Sequence, residues 1–390
     1  RSGVLGKNTL AAVREDMEKL QVPSWMAVAP RHPGEASQGK FTADQWRAFC
    51  NINLPITLIR LWGSLPREER RYKMLVNFMH LVTAVRLANM RVMTEDRAQS
   101  FELHIRTYLE GLIGFGTNDR SGGLYPHTRL TPYQHMMVHF GNLLRLFGPV
   151  HSWRCFPFER FNYILQNTST NDRLDELEKT MFTRFCMMQR LKSLFHGEGL
   201  PPIVDELVTL YRDTFEESDS RGTRINDALA FEDMSDSENV ADWPVSSLKR
   251  MKTETYDKVL RYGTGEKWRL WTSVRTHHRI KRRGLTFTTR EHSFPDAQVV
   301  FNEESANEWC AGSIKRIFTA IWESDGKRVG KTFVEIQLYK PLTDSHAQLD
   351  NYRTFGFAGG RLFYDMLEEE VLLLPLELIS SHFGYTLQPE

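Results

Sequence analysis

Residues 131–160 read TPYQHMMVHFGNLLRLFGPVHSWRCFPFER. Thr131 followed by Pro132 predicts a helix start: a hydroxyl at the cap, then a proline whose fixed φ and missing N–H suit the first helical position. Gly148-Pro149 predicts the stop near Phe147, because no helix continues through that pair. In between, Met136, Phe140, Leu143, Leu144 and Phe147 recur at spacings of three and four, which puts them on one apolar face. His135 and His139 stand four apart and therefore lie one above the other. Pro157-Phe158-Glu159-Arg160 then opens a second amphipathic helix. Helix, glycine–proline turn, helix: this half of the chain reads as all-α.

That order can gather His135, His139, Glu159 and Arg160 into one polar cluster. Such a cluster is either catalytic or metal-binding, or it is a hydrogen-bonded layer that fixes how two helices cross, since buried polar groups must find partners. A zinc-protease helix also spaces its histidines by four but needs Glu after the first. Met136 stands there, so the expectation is a structural polar cluster without metal.

Working outward, the 390 residues contain 41% hydrophobic side chains, enough for real cores in two or three domains. The net charge of +1 hides a strong asymmetry. Residues 216–242 hold 2 Lys/Arg against 9 Asp/Glu, while residues 245–290 hold 13 against 3. The four cysteines, Cys50, Cys155, Cys186 and Cys310, are scattered without a CxxC, so neither a zinc site nor a disulfide framework is signalled. No apolar run approaches the ~18 residues of a membrane span, so no membrane partner is expected. Arg1 in place of an initiator Met suggests a piece of a longer chain.

Upstream, residues 8–20 predict a short helix through Leu10, Val13, Met17 and Leu20, followed by a Pro/Gly-rich loop. Thr42 caps the next helix, with Gln45 three residues on completing a capping box; Pro55 should kink it. Pro66 opens a helix carrying Met74, Phe78, Leu81, Val82 and Val85. Thr94 caps another with Phe101, Ile105, Tyr108 and Leu112 on one face. Downstream, helices are expected over roughly 172–195 and from Pro201 to about Phe215. Residues 216–244 have the composition of a disordered acidic linker, although they could also fold back on the basic segment.

From Val245 to about Tyr262 a basic helix is expected. The period then changes to two and strands follow to the end: WTSVRTHHRI, GLTFTT, AQVVF, GSIKRIFTAIWE, TFVEIQLYKPL, GRLFYDML, EEVLLLPLELI and FGYTL. Ser324-Asp325-Gly326 marks the clearest hairpin. The fold class is thus α+β, with a multi-helix domain followed by a small, partly closed β-barrel. The expected boundaries are 1–62, 63–215, the linker 216–244, and 245–390.

A dense basic strip is the usual mark of phosphate contact. The candidates are Lys249, Arg250, Lys252, Arg275, Arg279, Lys281, Arg282 and Arg283, with Tyr262, Trp268 and Trp271 near enough to stack on bases. Arg275 and Arg279 share a face if they lie on one strand, and Lys281 joins them. The other readings of the strip are a nuclear-import signal and cations that block a sheet edge.

Two resemblances accompany these readings. His135, His139, Gly148-Pro149-Val150, Trp153-Arg154 and Pro157 to Arg160 resemble the helical domain that follows the catalytic core of CACTA-type (En/Spm-like) transposases. Residues 22–63 resemble the end of that catalytic region in the fungal branch. The resemblance implies a nuclear, transposon-derived protein acting on DNA. It also implies that Asp44 is the third acid of an RNase H-like core, in which three acids hold two metal ions, Mg or Mn, in the parent protein. The preferred reading of Asp44 from the residues alone is an ordinary first-turn Asp favoured by the helix dipole. The fragment by itself is expected to carry no cofactor and no strand cleavage. Gly312, Ile314, Ile317, Tyr339, Pro341, Leu362, Phe363 and Pro375 to Ile379 resemble the bromo-adjacent homology domain. That similarity implies the alternative, a non-enzymatic, chromatin-reader-like module with protein partners and no surviving transposase chemistry.

Overall fold

The computed structural model describes residues 5–26, 28–35, 39–113, 124–125, 129–153, 155, 162, 165–166, 176–196, 207, 248–263, 268–282, 285–303, 308–325 and 327–388. The expected helix from Pro157 (apart from Asn162, Leu165 and Gln166) and the helix from Pro201 (apart from Leu207) lie outside them, as do the acidic segment, Arg283 and Gly326. The architecture is α+β: helices first, then one large sheet and a separate two-stranded one.

The described helices of the first half are α1 (Lys7–Lys19), α2 (Ala43–Ala48), α3 (Leu54–Trp62), α4 (Arg70–Ala88), α5 (Glu95–Ile113), α6 (Pro132–Met136), α7 (Phe140–Phe147) and α8 (Leu177–His196). Their starts follow local chemistry. Thr42 Oγ1 accepts the Gln45 N–H at 3.3 Å while Gln45 Oε1 accepts the Thr42 N–H at 2.9 Å, which is the reciprocal box expected. Thr94 Oγ1 accepts the Arg97 N–H at 3.4 Å.

Between α2 and α3 the chain widens into a π turn, Phe49–Asn53, in which the Leu54 N–H reaches back to Phe49 O. Pro55 is the cause: it has no N–H for the Asn51 carbonyl. That carbonyl is instead met by Arg86 of α4, whose Nη2 donates to Asn51 O at 2.7 Å. Around this point Phe49, Leu54, Leu58, Ile59 and Trp62 pack with Leu75, Met79 and Val82. A second cluster joins Leu87 of α4, Phe101, Ile105, Leu109 and Leu112 of α5, and Leu144 of α7.

The helix expected over Thr131–Phe147 starts and stops where the sequence places it, ending at Gly148 with φ +75°. It is interrupted by a 3₁₀ turn at Met137–His139. Each 3₁₀ residue turns the chain by about 120° instead of 100°, so three of them put α6 and α7 roughly 60° out of phase. The single apolar face is broken accordingly. Leu144 of α7 is fully buried, whereas Met136 of α6 is 51% exposed.

The second half holds β1 (Lys249–Arg250), α9 (Thr253–Leu260), β2 (Arg269–His277), β3 (Arg279–Arg282), β4 (Leu285–Thr288), β5 (Gln298–Glu303), β6 (Glu308–Ser324), β7 (Lys327–Pro341), α10 (Asp344–Ala347), β8 (Phe363–Pro375) and β9 (Ile379–His382). The basic helix expected from 245 is therefore shorter, because Lys249 and Arg250 pair with Val274 and Ser273 of β2. The long β6 is the spine. It pairs with β5 through its first part and β2 through its last, and with β7 along its other side. β1, β8 and β9 each pair on one side only, so among the described residues the sheet stays open and does not close into a barrel.

The β6–β7 hairpin turns at Asp325, whose φ is +50°, between the paired Ser324 and Lys327, as Asp-Gly predicts. A register shift between Ile314 and Arg316 resets the alternation of β6. Ile314 and Ile317, three apart, thereby face the same core with Phe287, Val299, Phe301, Val334 and Ile336. The opposite face buries Val274, Phe318, Trp322 and Phe333 under Val259 of α9. The two strands expected in 360–379 are a single β8 that slips register twice against β7. FGYTL forms no strand; Tyr385 makes one isolated bridge to Gln21.

That bridge belongs to a seam between the halves. The chain leaving α1 lies on the sheet, with Ser24 N–H donating to Asp296 Oδ1 at 2.7 Å and Trp25 Nε1 to His382 Nδ1 at 3.2 Å. In return, the loop between β7 and β8 enters the helical core. Tyr352 and Ala358 are buried there, Tyr352 Oη donates to Ile56 O at 2.8 Å, and Arg86 Nη1 donates to Phe357 O at 2.6 Å.

Candidate nucleic-acid interface

From Lys267 to Arg290 the sequence has eight Lys/Arg and no Asp or Glu. The fold decides which of these cations meet solvent. Lys249 and Arg250 are exposed on the edge strand β1, and Lys252 is exposed at the cap of α9. Arg275 is half-buried on β2. β2 ends at His277 and β3 begins at Arg279, so Arg275 and Arg279 do not share one strand and the expected common face does not apply to them.

β3 pairs only with β4, in the register Arg279↔Thr288 and Lys281↔Thr286. Its period of two turns Arg279 and Lys281 outward, both exposed, and sends Ile280 into the core. Arg282 follows Ile280 inward. It is 8% exposed, and its Nη1 donates to Leu376 O at 2.8 Å. The expectation that Arg282 contacts phosphate is thereby corrected: alternation makes it a staple between β3 and the turn after β8. Arg283 lies outside the described residues.

The aromatics of the strip are also committed. Tyr262 donates to Leu373 O at 3.3 Å, and its ring lies 5.6 Å from that of Phe333. Trp268 packs on the same core. Trp271 donates Nε1–H to Glu323 at 2.9 Å, and the Arg328 guanidinium sits 4.7 Å over its ring.

The other sequence candidates assemble less. His135 and His139 face each other with ring centroids 5.3 Å apart, yet both are exposed, which corrects the expected burial of this pair. Glu159 and Arg160 lie outside the described residues. Asp44 falls in the first turn of α2, behind the Thr42 cap. Among the described residues no group of three or more His, Cys, Asp or Glu side chains could hold a metal ion. No helix among them is long and apolar enough to cross a membrane.

Two features escaped sequence reasoning. His80 of α4 and His104 of α5 meet with Nδ1 atoms 2.7 Å apart. Burial lowers both imidazole pKa values, and His104 adds to the effect on His80. His382 stacks on Phe287 at 4.4 Å, its Nε2 lies 3.1 Å from Asp296 O, and burial pushes its pKa down as well. Both are long-range pairings with no local signature. No protein-family model, curated protein or solved structure matches the chain.

Proposed function

We propose that this chain binds nucleic acid through phosphate contacts made by Lys249, Arg250, Lys252, Arg279 and Lys281. In the transposon-derived, nuclear setting that the sequence resemblance implies, the polyanion is DNA. The observation that supports this reading is exposure. Five of the eight cations singled out in the strip are solvent-exposed. Phosphate contact is electrostatic and tolerates loose geometry, so exposed cations on an edge strand, a helix cap and a paired strand are sufficient for it.

The test is the salt dependence of binding to random-sequence duplex DNA. Affinity should fall with a log–log slope of about −0.9 per phosphate neutralised. Changing the five residues to Ala should remove up to about five of those contacts, at roughly one unit of slope each. Arg282 is left intact because its loss would disturb the fold. If the parent chain does not bind, or the variant binds as the parent does, the reading fails. Lys249 and Arg250 then serve only to block strand pairing at an edge.

A further inference from the structure

We infer that the ligand of this surface is duplex nucleic acid held by its phosphates, with no base stacked on the Tyr, Trp and Phe rings of the strip. This rests on the nucleic-acid reading above and narrows it. A basic strip interleaved with aromatics suggests a single-strand binder, because bases stacked on aromatic faces contribute about 1–3 kcal/mol each. The tertiary structure removes that option residue by residue.

Five Tyr, Trp or Phe side chains lie between residues 248 and 290: Tyr256, Tyr262, Trp268, Trp271 and Phe287. Tyr256, Tyr262 and Trp268 pack on the core beneath α9, and the Tyr256 hydroxyl donates to Leu270 O at 3.4 Å. Lys331 Nζ stands 6.0 Å from the centroid of the Tyr262 ring. Trp271 is held by Glu323 and has Arg328 over its ring. Phe287 is 4% exposed and stacked on His382. Each ring is thus committed to packing or to another side chain.

What such a strip offers a ligand is exposed charge on a paired strand. Arg279 and Lys281 are two residues apart on a paired strand, which sets their Cα atoms about 6.7 Å apart. Without stacking, affinity follows charge density. A duplex presents one charge per roughly 1.7 Å of axis, about twice the density of one strand, and releases more counterion per contact, about 0.9 against 0.7.

The experiment compares the full chain on a random-sequence duplex and on either of its separated strands, at low and moderate salt. The duplex should bind more tightly, by about tenfold or more at low salt, with the steeper slope. Tryptophan emission should stay unchanged when single strand is added. The double variant Arg279→Ala/Lys281→Ala should lower the duplex slope by about two. Single strand binding as tightly as duplex, with or without quenched tryptophan, overturns this inference while leaving the nucleic-acid reading standing. Failure to bind either form removes both.

Discussion

The helical region over residues 43–113 and the sheet region over residues 249–382 were built from sequence signals of different range. In the helices the decisive contacts are local: Thr42 with Gln45 and Thr94 with Arg97. In the sheet they are remote, and the register of β6 and β8 is reset by bulges that no local pattern announces. The difference teaches where a residue's role is decided. A helix cap is fixed within four residues, whereas whether a strand arginine faces solvent or Leu376 depends on pairing and register. The two regions also share a core, because Tyr352 and Ala358 from the sheet's long loop are buried among α1, α3 and α4 residues.

The strongest way to break the comparison is to cut that seam. Arg86 is half-buried, and burial brings its guanidinium pKa down to about 10, so it is charged at neutral pH. It satisfies Asn51 O on the helical side and Phe357 O on the sheet side. Arg86→Met should cost about 3 kcal/mol through two lost charge-assisted bonds and their stranded acceptors. Thermal melts followed by far-UV circular dichroism and by tryptophan emission should shift together. A shift confined to one signal would show that the halves unfold separately.

Acid gives a smaller effect that reaches both regions. His80 and His104 lie between helices, His382 lies at the seam, and burial lowers the pKa of all three. Their unfolded counterparts titrate near 6.5, so below that pH the unfolded chain binds more protons and stability falls until the folded values are passed. Each group contributes up to about 1.4 kcal/mol per pH unit in that window. The Trp25 bond requires an unprotonated His382 Nδ1, so a His382→Gln variant should show a shallower decline. Urea midpoints between pH 7.5 and 5 would check this, and a flat profile would refute it.

The smallest effect sharpens the contrast from the other side. His139 is exposed, so His139→Ala should change stability by no more than about 0.5 kcal/mol, as surface substitutions do. A loss of 2 kcal/mol or more in a denaturant melt would mean that the polar cluster first read around it carries real packing.

Much of the helical half was legible in the chain itself. The Thr131-Pro132 start, the Gly148 stop and the caps at Thr42 and Thr94 appear as expected because each is a local competition for backbone hydrogen bonds. The 3₁₀ turn at Met137–His139 was hidden, since it depends on how α6 and α7 dock. The candidate interface was half legible. Charge density named the strip, but it could not separate Arg279 and Lys281 from Arg282.

The α+β class, most helix ends, the Asp325 hairpin and the concentration of cations between 245 and 290 are all written in the chain. Each follows from propensity, period or composition, which act within a few residues. Tertiary pairing alone settles that the sheet stays open among the described residues, that its long loop completes a helical core, and that four of the strip's five Tyr, Trp and Phe rings pack on the core. Those outcomes turn on strand register and on buried carbonyls finding distant donors such as Arg86 and Arg282, and such pairings leave no periodic trace in the chain.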